Sequence, residues 1–184
     1  CGASTSVGEK AITRAKSLAK AGVDLIVIDV AHGHYYKVAE TIKILKKEIG
    51  KKVVLVGGNV ATAQATLDLI KAGADVVKVG VGPGSICTTR IIAGIGVPQL
   101  TAVMDAVQAA AKTKTPIIAD GGIRYSGDVV KALAVGASAV MMGGLFAGTD
   151  ESPGKIVTID KQKMKIYRGM GSIDAMKMGS KDRY

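Results

Sequence analysis

The sequence predicts an α/β protein of parallel strands joined by helical crossovers, closed as a barrel in preference to a doubly wound sheet. Three observations predict it. A helix-to-strand junction recurs: Ala21-Gly22-Val23-Asp24 precedes the apolar run Leu25–Ile28, Ala72-Gly73-Ala74-Asp75 precedes Val76-Val77-Lys78-Val79, and Val135-Gly136-Ala137-Ser138 precedes Ala139–Met142. Polar and glycine residues collect after every strand. The composition is 48% hydrophobic but only 3% aromatic, with 24 glycines and four prolines among 184 residues. Val, Ile, Leu, Ala and Met must therefore fill the core, and the balance excludes a disordered chain, a disulfide scaffold and an aromatic-rich sandwich.

Taken in order, helical patterns are expected over 8–20, 36–49, 62–72, 99–112 and 126–135. At each repeated junction the glycine supplies the left-handed conformation that ends a helix. Strands are expected at Leu25–Ile28, Lys52–Val56, Val76–Val79, Pro116–Ala119 and Ala139–Met142. Short Val/Ile runs alternating with helices at this spacing imply parallel pairing and right-handed crossovers. After the last of them, Lys155–Arg168 reads as a hairpin: Ile156–Ile159, a turn at Asp160-Lys161-Gln162, then Lys163–Tyr167, with basic outward positions. Such an excursion decorates or covers a site more readily than it adds core.

The residues after the strands are Asp29 and His32, then Gly57-Gly58-Asn59, then Gly80 through Cys87, then Asp120-Gly121-Gly122, then Gly143-Gly144. Ligands of parallel α/β folds bind at the carboxyl ends of the strands. In a doubly wound sheet the ligand residues would concentrate at one switch point; here they follow every strand, as on a barrel rim.

The formal net charge is +10, of which the stretch 155–184 carries half, with eight Lys/Arg against three Asp. Scattered lysines with few aromatics among them argue for a solvated basic surface or a phosphate-bearing substrate rather than nucleic acid. Cys1 and Cys87 form no metal-type spacing and fit a reducing cytoplasm. No apolar run approaches the about 20 residues of a membrane span. The opening Cys1-Gly-Ala-Ser-Thr-Ser6 has no charged leader and no initiator Met, and reads as the interior of a longer chain.

The most informative stretch is Gly80-Val81-Gly82-Pro83-Gly84-Ser85-Ile86-Cys87-Thr88-Thr89-Arg90. Its glycines and proline make a turn whose backbone can approach a ligand or ion closely. Cys87 has two readings: a nucleophile activated by nearby positive charge or helix N–H groups, or a buried structural cysteine. Asp120 can accept hydrogen bonds from sugar hydroxyls while Gly121 and Gly122 admit a phosphate, and Gly143-Gly144 is a second candidate phosphate cradle. Either Gly-Gly taken alone is as readily a tight turn. His32 and His34 make a poor metal site without a carboxylate or cysteine cluster; stacking or hydrogen bonding on a ligand suits them better. Met170, between Gly169 and Gly171, is an unnatural place for a core methionine.

These residues resemble the IMP dehydrogenase / GMP reductase family across essentially the whole chain. The cysteine loop is very similar to that family's catalytic loop. Ala119-Asp-Gly-Gly-Ile-Arg-Tyr-Ser-Gly-Asp128, Leu145-Phe-Ala-Gly-Thr-Asp-Glu-Ser-Pro-Gly154 and Tyr167-Arg-Gly-Met-Gly-Ser172 match its further signatures in order. The resemblance implies a (β/α)8 barrel that oxidises IMP to XMP with NAD, with Cys87 attacking C2 of the hypoxanthine. Arg183 and Tyr184 would correspond to the flap pair that serves hydrolysis, with Thr89 orienting the water. For IMP it implies Ser85, Gly143 and Gly144 near the phosphate, Asp120 on the ribose with Gly121 and Gly122 alongside, and Tyr167, Gly169, Met170 and Gly171 on phosphate and base. For NAD it implies Asp29 on a ribose, with Asn59, Gly80, Val81 and Gly82 on the nicotinamide side. The carbonyls of Gly82, Gly84 and Cys87 would contribute to a potassium site, and the family forms tetramers.

Two departures stand out: Val30 replaces a usual small hydroxyl residue, and Gly144 a frequent serine. The resemblance also implies that two barrel strands precede Cys1 and that the flap continues after Tyr184. The chain would then hold about six of eight strands: 1–154 as βα units, 155–168 as the hairpin and 169–184 as the start of a mobile flap, with the family's regulatory nucleotide-binding modules upstream and outside it. A (β/α)8 barrel of about 250 residues exceeds this length. The alternatives are GMP reductase, which deaminates GMP reductively with NADPH, and a barrel fragment that binds without turnover; the Arg183-Tyr184 pair and Tyr167–Ser172 favour the dehydrogenase.

Overall fold

The computed structural model describes residues 1–177. Six parallel strands form one sheet: β1 (Gly2–Thr5), β2 (Leu25–Asp29), β3 (Val54–Val60), β4 (Val76–Val79), β5 (Ile117–Asp120) and β6 (Ala139–Met141). Between them run α1 (Glu9–Lys20), α2 (Tyr36–Ile49), α3 (Ala63–Ala72), the short α4 (Thr89–Ile92), α5 (Gln99–Ala110) and α6 (Ser126–Ala134). A separate antiparallel hairpin, β7 (Ile156–Ile159) and β8 (Gln162–Lys165), and the one-turn α7 (Ile173–Ala175) follow.

Strand order decides between the two parallel architectures. The strands lie in sequence order, β1 to β6, with no reversal. Successive helices also touch, α1 on α2, α2 on α3, α3 on α5 and α5 on α6, so one helical layer covers one face. A doubly wound sheet reverses its order and places helices on both faces. The fold is the incomplete (β/α) barrel, six of the eight strands that closure requires.

The helices form where apolar residues recur at the helical period. In α2 the buried positions are Val38, Thr41, Ile42, Leu45 and Ile49, spaced three and four apart along one stripe. At the start of α3, the Thr62 hydroxyl accepts the Ala65 N–H at 3.2 Å. The helix stops at Gly73, whose φ of 106° suits a residue without Cβ. On the sheet, alternate residues face the helices: Ile26, Ile28, Leu55, Val77, Val79, Ile117 and Ala119 are buried against Val38, Ile42, Leu45, Leu69, Val103 and Ala106. The core is wholly aliphatic, as the composition requires.

The opposite, concave face carries Val27, Val56, Gly58 and Lys78, with Asp29 and Asp120 at its upper end. Asp29 pairs in register with Gly58, and Gly58 with Lys78.

Several boundaries differ from those expected. β1 has no apolar run; it is a strand because its backbone pairs with β2 from Gly2↔Leu25 to Thr5↔Ile28. β3 continues through Gly57-Gly58-Asn59 to Val60, so these residues lie inside the sheet and not after it. A Cβ on Gly57 would meet Ile42 and Leu69 at 2.9 and 3.2 Å, which shows the glycine serving close helix packing. The hairpin turn is two residues, Asp160-Lys161, both at positive φ (48° and 65°), and Gln162 pairs with Ile159.

Candidate active site

At the carboxyl ends of β2 to β5 a buried lysine gathers the polar residues. Lys78 is 3% exposed. Its ammonium donates to Asp120 Oδ2 at 2.5 Å, Asn59 Oδ1 at 2.5 Å and Asp29 Oδ1 at 3.1 Å. An ammonium has three hydrogens, and each finds an acceptor from a different strand. The lysine reaches Asp29 across β3, and Gly58 leaves the room: a Cβ there would stand 2.7 Å from the Lys78 carbonyl oxygen and 2.8 Å from its Cβ.

Asn59 completes the network by donating to Gly80 O at 2.8 Å and Asp120 Oδ2 at 2.9 Å. Its side chain is aimed there by a register shift between Gly58 and Val60, the usual effect of a bulge. With both amide hydrogens and its oxygen engaged by protein groups, Asn59 orients Gly80 and Asp120 from behind. Gln99, at the head of α5, ties the same strand ends together by donating to Val79 O (2.9 Å) and Asp120 O (3.1 Å).

The loop after β4 lies over this network. The Cys87 N–H donates to Gly84 O at 3.0 Å, closing a tight turn. Cys87 is exposed, which removes the reading of a buried structural thiol. Its sulfur lies 3.2 Å from Thr89 Oγ1. Arg90 is fixed by its own contacts: its guanidinium donates to Val97 O at 2.5 Å, and its stem lies against Gly82 and Gly96.

Three other segments meet around the loop. A Cβ on Gly121 would touch Gly84 N and Pro83 Cγ, each at 3.0 Å; one on Gly144 would lie 3.2 Å from Ser85 Oγ; one on Gly169 would lie 3.2 Å from Ile86 O. Gly143 is closer still, with the Tyr167 hydroxyl where its Cβ would be. Ser85, Gly143, Gly144, Tyr167 and Gly169 therefore converge on one edge of the cysteine loop, with Gly121 and Gly122 on another. Met170 is 46% exposed and Gly171 is also exposed. Arg183 and Tyr184 lie outside the described residues.

His34 does not face this rim. Its Nε2 pairs with Asp68 Oδ2 on α3 at 2.8 Å, and that hydrogen bond holds the Asp68 carboxyl below its ordinary range. Among the described residues no group of three or more His, Cys, Asp or Glu is placed to hold a metal ion, and no helix is long and apolar enough to cross a membrane. Sequence reasoning passed over Lys78 and Gln99, and it set the hairpin's basic residues outward, whereas Lys165 is half-buried and donates to Thr149 O and Ser152 O. Lys78 carried a signal, a lone cation between valines in a short buried strand; Gln99 and Lys165 carried none.

A parallel βα barrel rim with an exposed cysteine, a carboxylate anchored by a lysine and several glycine turns defines a class: (β/α)-barrel proteins with a candidate site at the carboxyl ends of their strands. The comparison with known proteins narrows it. Residues 1–184 match the IMP dehydrogenase / GMP reductase domain, and the chain belongs to that family. It is 59% identical over 184 residues to the inosine-5′-monophosphate dehydrogenase of Aquifex aeolicus (strain VF5), covering all of this chain and 37% of that protein. It is 55% identical over 185 residues to that of Chlorobaculum parvum and 58% identical over 183 residues to that of Halalkalibacterium halodurans, covering 37% and 38% of their lengths. The chain thus spans little more than a third of these relatives.

Proposed function

We propose that the protein bearing these residues oxidises IMP to XMP with NAD through a covalent adduct on Cys87. The observation that carries this reading is the convergence of the exposed thiol, Asp120 and the glycine turns of residues 121–122, 143–144 and 169 around one loop at the strand ends. That arrangement matches a nucleoside monophosphate: a carboxylate for ribose hydroxyls, backbone amides and hydroxyls for phosphate, and a thiol for the base. The names of the relatives favour the dehydrogenase over the reductase.

In this reading the Cys87 thiolate adds to C2 of the hypoxanthine, and the C2 hydrogen departs as hydride. Water then displaces the sulfur, giving XMP and restoring the thiol. Thr89, within hydrogen-bond distance of the sulfur, orients that water, and Arg183 with Tyr184 serves as the base. Ser85, Gly143, Gly144 and Tyr167 hold the phosphate, and Gly169, Met170 and Gly171 line the base. Asp120, fixed by Lys78 and Asn59, holds the ribose.

NAD, when bound, supplies the acceptor for the hydride. The donor set fits it: Asp29, a quarter exposed at the end of β2, offers a carboxylate to ribose hydroxyls, and in this reading Asn59, Gly80, Val81 and Gly82 lie on the nicotinamide side. Potassium suits the carbonyls of Gly82, Gly84 and Cys87, since hard cations prefer oxygen ligands. Gly84 O already accepts the Cys87 N–H and has one further lone pair to offer. A cytoplasmic homotetramer completes the proposal.

The test is to incubate the whole protein with IMP and NAD, and separately with GMP and NADPH, following the reduced nicotinamide by absorbance. NADH formation with IMP is expected; turnover confined to GMP and NADPH would reassign it as the reductase, and none with either pair would leave a binding fragment.

A further inference from the structure

Lys165 is the one residue of β8 withdrawn from solvent. Its ammonium donates to two backbone carbonyls, Thr149 O at 2.5 Å and Ser152 O at 2.7 Å, and among the described residues no carboxylate pairs with it. Those carbonyls end a run of hydrogen-bonded turns that starts at the glycine pair after β6. Gly143 O accepts from Phe146 N and Ala147 N, Phe146 O from Thr149 N, and Thr149 O from Ser152 N. The far end of the run is thus capped by Lys165, and its near end is the candidate phosphate cradle.

Side chains two apart in an extended segment point the same way. Lys165 and Tyr167 therefore both face the 143–152 coil, the first through its ammonium and the second through its hydroxyl, while Ile166 between them is 74% exposed. Tyr167 places its hydroxyl against Gly143. The hairpin is fastened to the coil at two points, the Lys165 ammonium at one end and the Tyr167 hydroxyl at the other. Apart from them the hairpin is largely exposed, with Ile156 and Ile159 both more than half open to solvent, so little apolar packing holds it in register.

We propose that Lys165 is a positioning residue for phosphate recognition: by clamping Thr149 and Ser152 it sets the register at which Tyr167 closes over Gly143 and Gly144. The role rests on the IMP reading above, since it concerns the phosphate that Tyr167 would grip. Lysine suits the task because its three donors can hold two carbonyls at once, and hydrogen bonds from a charged donor are the stronger kind.

The experiment uses the whole protein and compares Lys165→Met, Lys165→Arg, Tyr167→Phe and the Lys165→Met/Tyr167→Phe double variant. Dissociation constants for IMP and for inosine, which lacks the phosphate, are read by calorimetry, with KM and kcat beside them. Lys165→Met is expected to weaken IMP on the order of tenfold, a shift of about 1.4 kcal/mol. Inosine affinity stays unchanged, kcat stays within about twofold, and Lys165→Arg recovers most of the loss. In the Tyr167→Phe background the same lysine change should cost little more, because its effect passes through the tyrosine. Equal losses for IMP and inosine, or fully additive losses in the double variant, would overturn the positioning role. If wild-type protein binds neither ligand, the IMP reading itself fails, an outcome distinct from both.

Discussion

Replacing Lys78 by Met keeps the buried stem and removes the charge at its tip. The wild-type side chain is 4% exposed and its ammonium is satisfied on all three hydrogens. Without it, Asp29 and Asp120 face one site with no cation between them, and Asn59 Oδ1 loses its donor. Breaking a buried ion pair by deleting one partner costs about 3–5 kcal/mol. The two carboxylates are 25% and 22% exposed, so water reaches them and the lower end applies, about 3 kcal/mol. With a urea m-value of about 2 kcal/mol per molar, the unfolding midpoint at neutral pH drops by about 1.5 M. Circular dichroism of both proteins through a urea series measures it. Adding Asp120→Asn to Lys78→Met removes one stranded charge and should recover about 1 kcal/mol or more. A midpoint change under about 0.3 M, or a double variant whose losses simply add, would refute the reasoning that the lysine neutralises this cluster.

Three further outcomes follow from the same geometry. Cys87→Ala should abolish NADH formation in the whole protein while IMP binding by calorimetry stays within about threefold, less than the tenfold of about 1.4 kcal/mol; substantial residual turnover removes the thiol from the nucleophile role. Gly58→Ala sets a methyl group against the β4 backbone at 2.7 Å, overpacking that costs about 1–3 kcal/mol, seen as a Tm lower by several degrees. Asp128 accepts the N–H groups of Arg124 and Tyr125 at 3.0 Å each, and those bonds hold its carboxyl below the ordinary 3.8. Its contribution is present above that ordinary value and is lost as pH falls through the depressed one. Asp128→Asn should therefore flatten the acid limb of the stability–pH curve below about pH 4 and leave its neutral-to-basic limb parallel to wild type.

Much of the frame was legible in the residues because helix periodicity is a local property. The patterns at 36–49 and 62–72 coincide with α2 and α3 to within a residue. β1 was not legible: Gly2-Ala-Ser-Thr5 has nothing hydrophobic enough to mark it, and its conformation comes from the partner strand. The end of β3 was misplaced because Gly57-Gly58-Asn59 has the chemistry of a turn, yet its missing side chains are what let Ile42, Leu69 and Lys78 approach. The glycine turns and Cys87 announced themselves by residue type. Lys78 was concealed because a lysine within a valine strand shows its role only once its partners are known.

The sequence by itself determined the alternation of strands and helices, the aliphatic core and the inventory of reactive groups, all of which follow from side-chain chemistry and short-range spacing. Only the tertiary structure decided that the strands run in unbroken order, which separates a barrel from a doubly wound sheet. It alone also decided that Lys78 binds Asp29, Asn59 and Asp120, residues 49, 19 and 42 positions away along the chain. Hydrogen bonds act over about 3 Å, so groups this far apart in sequence meet only where parallel pairing sets their strands side by side.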